Sequence, residues 1–174
     1  MSIECEAFLT QARLLCQQRK VRMTPQRHEV LRLMAQQQSA ISAYDLLDLL
    51  RASKPQAKPP TVYRALDFLL EQGFIHRVES TNSFLVCHHF AEPAHTSVML
   101  ICNRCGNITE QHAEGVQEML KTLAGKMGFI PDSSIIEAHG CCAKCTQIRT
   151  CKKAHQRKHN HSRHTTRKQG RGNL

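Results

Sequence analysis

The chain has 174 residues, 41% hydrophobic and 22% charged, which suits one domain or two small ones with a buried core. Its formal charge is +10, but residues 151–174 hold eight Lys or Arg and no acid, so the basicity is mostly a property of the tail. No run approaches the roughly 18–20 apolar residues of a membrane span. The acidic start MSIECEAF does not suit a signal peptide, and nine clustered cysteines are not spread as a disulfide framework. These features predict a cytoplasmic protein with no membrane partner and with reduced thiols free to bind metal.

Apolar positions at Phe8, Leu9, Ala12, Leu15 and Cys16 predict a first helix over residues 3–19. Thr24 suits the cap, and Pro25 the first turn, of a second helix that runs to about Gln37 with Val30, Leu31 and Met34 inward. Ser42 caps a third helix over 43–52, which buries Leu46, Leu47 and Leu50 and projects Tyr44 outward. The proline-rich stretch 53–60 reads as a connector that cannot be helical. A fourth helix covers 61–72, with Val62, Leu66, Leu69 and Leu70 in one stripe and Gly73 as its C-terminal cap. Arg64 falls nearly opposite that stripe, flanked by Thr61 and Tyr63.

The runs 74–78 and 84–87 read as a β-hairpin. Helices followed by a hairpin describe a winged helix-turn-helix, whose last helix enters a DNA major groove. Thr61, Tyr63, Arg64 and Tyr44 are therefore candidate DNA contacts, weighed against the plainer reading of solvated helix faces.

Ala91 to Ala94 reads as a hinge, followed by strands near 98–101 and 108–109. A helix over 114–127 carries Val116, Met119, Leu120 and Leu123 on one side, and strands are expected at 129–130 and 134–138. This unit of about 55 residues is of a size that needs a metal or a partner chain for stability. From Cys151 the chain is low in complexity, basic and His-rich, and reads as disordered. The expected fold class is thus α+β, in four parts. Residues 1–87 are a winged-helix DNA-binding domain, 88–96 a hinge, 97–150 a small α/β unit, and 151–174 a tail.

Cys102-x-x-Cys105, followed by Gly106, can grip one tetrahedral Zn²⁺ from a tight turn, and Cys142-x-x-Cys145 supplies a second thiol pair. The 36 residues between the pairs exceed the ribbon-type spacing of roughly 15–20, so folded structure must lie between them. The x-x spacing favours Cys142 over its neighbour Cys141. His88 and His89 adjoin Cys87 as alternative ligands or as solvated groups, and His112 and His139 read as surface or supporting side chains. An enzyme is the rival reading, because His112-Ala113-Glu114 with Cys142-x-x-Cys145 superficially matches the zinc deaminases. No proline precedes Cys142, however, and that reading leaves Cys102, Cys105 and the helical start unused. The chain reads as no enzyme, with no small-molecule substrate.

Two further motifs, Arg22-x-Thr24-Pro25-Gln26-Arg27 and Thr61-Val62-Tyr63-Arg64-Ala65-Leu66, precede the His-bearing hinge and the two thiol pairs. In this order they resemble the ferric uptake regulator family, over residues from about 5 to 150. Ala40 to Leu47 (AISAYDLL) and the hinge reading Cys87-His88…His95-Thr96-Ser97 resemble the zinc-sensing branch of that family. The resemblance implies a homodimeric repressor that binds operator DNA when zinc-loaded and silences zinc-uptake genes, with residues 97–150 as its zinc-binding dimerisation domain. It also implies two zinc ions per chain. A structural ion maps to Cys102, Cys105, Cys142 and Cys145, and a sensing ion to His76, Cys87, His95 and Glu110. A thiolate in the sensing set favours Zn²⁺ over Mn²⁺ or Fe²⁺. The His-x-Asp-His run of iron-sensing members is replaced by Pro93-Ala94-His95-Thr96, which leaves iron or another metal as the alternative.

Overall fold

The structure, a computed structural model, describes residues 3–37, 39–92, 95–131 and 134–147. The tail from Cys151 and the hinge residues Pro93 and Ala94 lie outside the described residues. Helix α1 (Ile3–Gln18) buries Cys5, Leu9, Ala12 and Cys16. Helix α2 (Pro25–Ala35) starts as its sequence dictates, with Thr24 Oγ1 accepting the Arg27 N–H at 3.3 Å and a proline where no donor is lost. In α3 (Ala43–Ser53), Ser42 Oγ accepts the Asp45 N–H at 3.1 Å.

Helix α4 (Pro59–Glu71) begins two residues before the expected start, inside the stretch read as a connector that cannot be helical. Pro59 and Pro60 occupy its first turn, where proline's missing N–H costs no hydrogen bond and its fixed φ is already helical. The buried face is wider than the expected stripe, taking in Ala65 and Phe68, while Leu70 is half-buried. The helix ends at Gly73, φ +73. Gly73 N–H donates to Leu70 C=O and Phe74 N–H to Leu69 C=O, both at 2.9 Å, which is the paired bonding of a Schellman cap.

That cap turns the chain straight into β2 (Ile75–Val78), which pairs antiparallel with β3 (Ser83–Val86). A two-residue β1 (Ile41–Ser42) completes the sheet in the order β1-β3-β2. Helices α1–α4 and this sheet share one apolar core, giving a winged helix.

A second sheet has the order β5-β4-β6, from β4 (Thr96–Cys102), β5 (Ile108–His112) and β6 (Ser134–Gly140). β4 pairs antiparallel with β5 and parallel with β6, and α5 (Glu114–Gly125) lies on the connection from β5 to β6. Phe129 and Ile130 do not form the expected strand and are 64% and 85% exposed. Gly128, with φ +67, and Pro131 bracket them, and proline cannot donate to a ladder. A short α6 (Ala143–Thr146) carries Cys145 inward. Val78 and Leu85 of the wing pack with Met99, Ile101 and Ile108 of the second sheet, so the two sheets meet through a small apolar core. The Glu137 carboxylate on β6 reinforces that contact by accepting N–H bonds from Glu79 and Ser80 in the wing turn, at 2.6 and 3.2 Å.

Candidate metal centres and nucleic-acid interface

The junction of the two sheets brings together His76 from β2, Cys87 just after β3, His95 just before β4 and Glu110 from β5. Cys87 Sγ lies 3.1 Å from His95 Nε2, His95 Nε2 lies 3.4 Å from His76 Nε2, and His76 Nε2 lies 3.1 Å from Glu110 Oε1. Four ligands of a tetrahedral Zn²⁺ stand about 3.3–3.8 Å apart, given bonds of about 2.0–2.3 Å. These three separations lie within a few tenths of an ångström of such edges, and all four ligand atoms lie within 4.8 Å of one another.

Two details sharpen that fit. Glu110 Oε2 is buried with no hydrogen-bond partner among the described residues, an orphaned carboxylate oxygen beside three other ligand atoms. His95 Nδ1–H donates to the Glu92 carbonyl at 3.1 Å, which leaves the Nε2 lone pair directed at the cluster.

Burial, and then the charge of Glu110, push the Cys87 thiol up to about 12. Burial also raises Glu110, but hydrogen bonds from His76 and Ser97 outweigh it and hold the carboxylate below its ordinary range. Ser97, buried on β4, figures in the sequence only as the last residue of the hinge motif, with no role of its own. Its hydroxyl donates to Glu110 Oε1 at 2.6 Å and lies 3.1 Å from His76 Nε2, bracing two of the four groups. Its signal was present but faint: it is a polar residue two positions after His95, at the start of a strand that is apolar from Val98 to Ile101.

Cys102, Cys105, Cys142 and Cys145 form a second cluster, which Cys142 rather than Cys141 joins. Cys105 Sγ and Cys142 Sγ are 3.8 Å apart, matching the edge of about 3.8 Å for thiolates bonded to zinc at about 2.3 Å. Gly106, φ +72, closes the first turn by donating its N–H to Cys102 C=O at 2.9 Å. Asn103 N–H donates to Gly140 C=O at 2.8 Å and holds the two knuckles side by side. Backbone N–H groups of Cys142, Cys105 and Arg104 lower the Cys102 thiol well below its ordinary range. Burial and the neighbouring thiols raise Cys145 in the opposite direction. One sulfur is thus prepared as a thiolate, and a cation is needed before all four can ionise.

A third group comprises His89, Glu92 and His112. His112 therefore stands apart from Cys142 and Cys145, and the deaminase-like constellation is not assembled. In the winged helix, Arg64 and Tyr63 are exposed on α4, Thr61 is half-buried, and Tyr44 on α3 is 74% exposed. Arg64 makes no hydrogen bond or ion pair among the described residues. Arg51, by contrast, is tied to Asp48 at 3.6 Å and to the Ala57 carbonyl at 3.2 Å.

A winged helix joined to a second sheet, with thiol and imidazole clusters in and beside the joint, defines the architectural class. The chain belongs to the ferric uptake regulator family, whose sequence model matches residues 18–139. It is 61% identical over 157 residues to the zinc uptake regulation protein of Escherichia coli strain K12, covering 90% of this chain and 92% of that one. It is 27% identical over 132 residues to the peroxide operon regulator of Bacillus subtilis strain 168, covering 73% of this chain and 86% of the other. Among solved structures, a zinc uptake regulator complexed with zinc and DNA matches at 61% identity and a TM-score of 0.79, over 86% of this chain and all of that one. The crystal structure of holo XcZur matches at 42% identity and a TM-score of 0.72, over 81% and 98% of the two chains.

Proposed function

We infer that this protein is a zinc-responsive transcriptional repressor. Its zinc-loaded homodimer binds operator DNA, represses zinc-uptake genes and releases the DNA when zinc is scarce. The observation that carries this reading is the placement of His76, Cys87, His95 and Glu110 across the joint between the wing and the second sheet. The identity to a zinc uptake regulation protein supports it. Residues 1–87 form the DNA-binding domain, 88–96 the hinge, 97–150 the dimerisation domain and 151–174 a basic tail outside the described residues. The protein is cytoplasmic, and no helix among the described residues is long and apolar enough to cross a membrane.

Each chain holds two zinc ions. Cys102, Cys105, Cys142 and Cys145 hold the structural one, and His76, Cys87, His95 and Glu110 the sensing one. Bound zinc supplies directional Lewis-acid bonds that draw four ligands to one point. The chain's own residues turn that into an orientation. His76 is carried by the wing, Glu110 by β5, and Cys87 and His95 close the hinge between them. A ligand set divided in this way favours one arrangement of the winged helix over the others. In that arrangement Arg64, Tyr63, Thr61 and Tyr44 face DNA, with α4 in the major groove. The coupling is reciprocal, so operator DNA tightens zinc by the factor that zinc tightens DNA.

Binding of full-length protein to an operator duplex, measured across buffered free Zn²⁺, Fe²⁺ and Mn²⁺, tests the reading. Binding should respond to zinc at the lowest free concentration. Cys87→Ser should keep its structural zinc and its fold yet lose the zinc response. A lower threshold for iron, or wild-type switching by Cys87→Ser, would overturn it.

A further inference from the structure

Beside the sensing cluster, and sharing none of its side chains, stand His89, Glu92 and His112, with ligand atoms within 4.8 Å of one another. His89 Nδ1 is 3.1 Å from Glu92 Oε1, and the His89 and His112 rings stack with centroids 4.9 Å apart at 29°. The residues come from two parts of the chain, His89 and Glu92 from the turn after β3 and His112 from the end of β5. Glu110 and His112 are two apart on that strand and point to the same face, so one strand face serves both clusters. An exposed His–Glu pair alone would signify little. Here a second imidazole from a different element converges on the same point. A further link joins this group to its neighbour, because the Glu92 carbonyl holds His95 Nδ1–H at 3.1 Å and so orients a ligand of the sensing cluster.

We propose that His89, Glu92 and His112 form a third, solvent-open divalent metal site, suited to Zn²⁺, that ties the hinge to β5 and steadies the sensing cluster through Glu92 and His95. Two imidazoles and a carboxylate suit zinc and leave a coordination position for water. The site has no thiolate and is partly exposed, so it is the weakest of the three and fills last. The site itself stands on these three residues. Its effect on DNA rests on the reading of His76, Cys87, His95 and Glu110 as the sensing centre.

The test titrates full-length dimer, already carrying two zinc ions per chain, with Co²⁺ and with Zn²⁺ against a competing chromophoric chelator. The wild type should take up one further equivalent per chain, and as cobalt that equivalent should add no thiolate-to-metal charge-transfer absorption. His112→Ala should weaken this equivalent at least about tenfold, while the first two stay in place. Glu92→Gln should do the same, which keeps the test sound if one variant misfolds. Cys87→Ser should retain the third equivalent and lose only the sensing one, so that failure of either assignment shows separately. In DNA titrations His112→Ala should need more zinc for full binding. Saturation of the wild type at two equivalents overturns the site, as does a third equivalent that survives His112→Ala unchanged, since the tail histidines would then hold it. A DNA response unchanged by His112→Ala overturns the steadying role.

Discussion

With its thiol pushed up to about 12 by burial and by the charge of Glu110, Cys87 keeps its proton at neutral pH until a metal displaces it. Zinc and the proton therefore compete for one sulfur. As pH rises the proton competes less, so zinc affinity at this site should climb about tenfold per unit between about pH 7 and 8, with about one proton released per ion. Calorimetry in buffers of different ionisation enthalpy reads that proton directly, and a flat profile would remove Cys87 from the ligand set. Ser97 offers a complementary test, because it braces Glu110 at 2.6 Å and His76 at 3.1 Å without belonging to the cluster. Ser97→Ala should lower sensing-site affinity by about 10–100-fold, with structural zinc content and melting temperature unchanged. Wild-type affinity in that variant would mean that Ser97 merely fills space.

Helix α4 shows at the scale of an element what the sequence discloses and what it hides. Its apolar stripe and its Gly73 stop were legible, because periodicity and a left-handed cap are local properties. Its start was misread because prolines break a helix interior yet suit a first turn, and only the fold decides which position they occupy. Strand β1 was invisible for another reason: two residues cannot display alternation, and Ile41–Ser42 extends only because Phe84 and Ser83 lie opposite. The thiol cluster was legible from spacing alone. The grouping of His76, Cys87, His95 and Glu110 came from a family resemblance, since these residues are scattered along the chain and meet only through the wing–sheet junction. The roles of Glu92 and Ser97 were not legible, because a backbone carbonyl that orients His95 leaves no trace in residue type, and Ser97 meets Glu110 and His76 only once β4, β5 and the wing are assembled. For DNA, α4 makes a separable prediction. Arg64 is exposed and unpaired among the described residues, and a bidentate Arg–guanine contact is worth about 1–3 kcal/mol of discrimination. Arg64→Ala should bring operator binding close to that of scrambled duplex with little change in salt slope. Deleting residues 152–174 should flatten the salt slope and keep the sequence preference, because tail charges act only by releasing counterions. The reverse pattern across a salt series would move recognition to the tail.

At the scale of the whole molecule, the second sheet and its helix present apolar surface that one chain leaves uncovered. Met119 and Leu123 on α5 are 68% and 57% exposed, Met127 is 82% exposed, and Leu100 on β4 is exposed as well, on the face of the sheet away from Met99 and the wing. Soluble monomers rarely leave so many large apolar side chains of one small unit uncovered, and a two-fold partner would cover them with a copy of itself. A dimer also suits the DNA reading, because it sets two α4 helices at a fixed spacing for two half-sites. Leu123→Glu tests both. Under two-fold symmetry the substitution places a carboxylate in the interface from each side, at a cost on the order of a few kcal/mol per copy for burying an unpaired charge. Each thiol and imidazole cluster is drawn from a single chain, so the variant should keep its zinc. Sedimentation velocity should show monomer where the wild type shows dimer, and operator affinity should fall toward the non-specific level at unchanged zinc content. A Leu123→Glu protein that sediments as a dimer and binds operator like the wild type would place the subunit interface on another face.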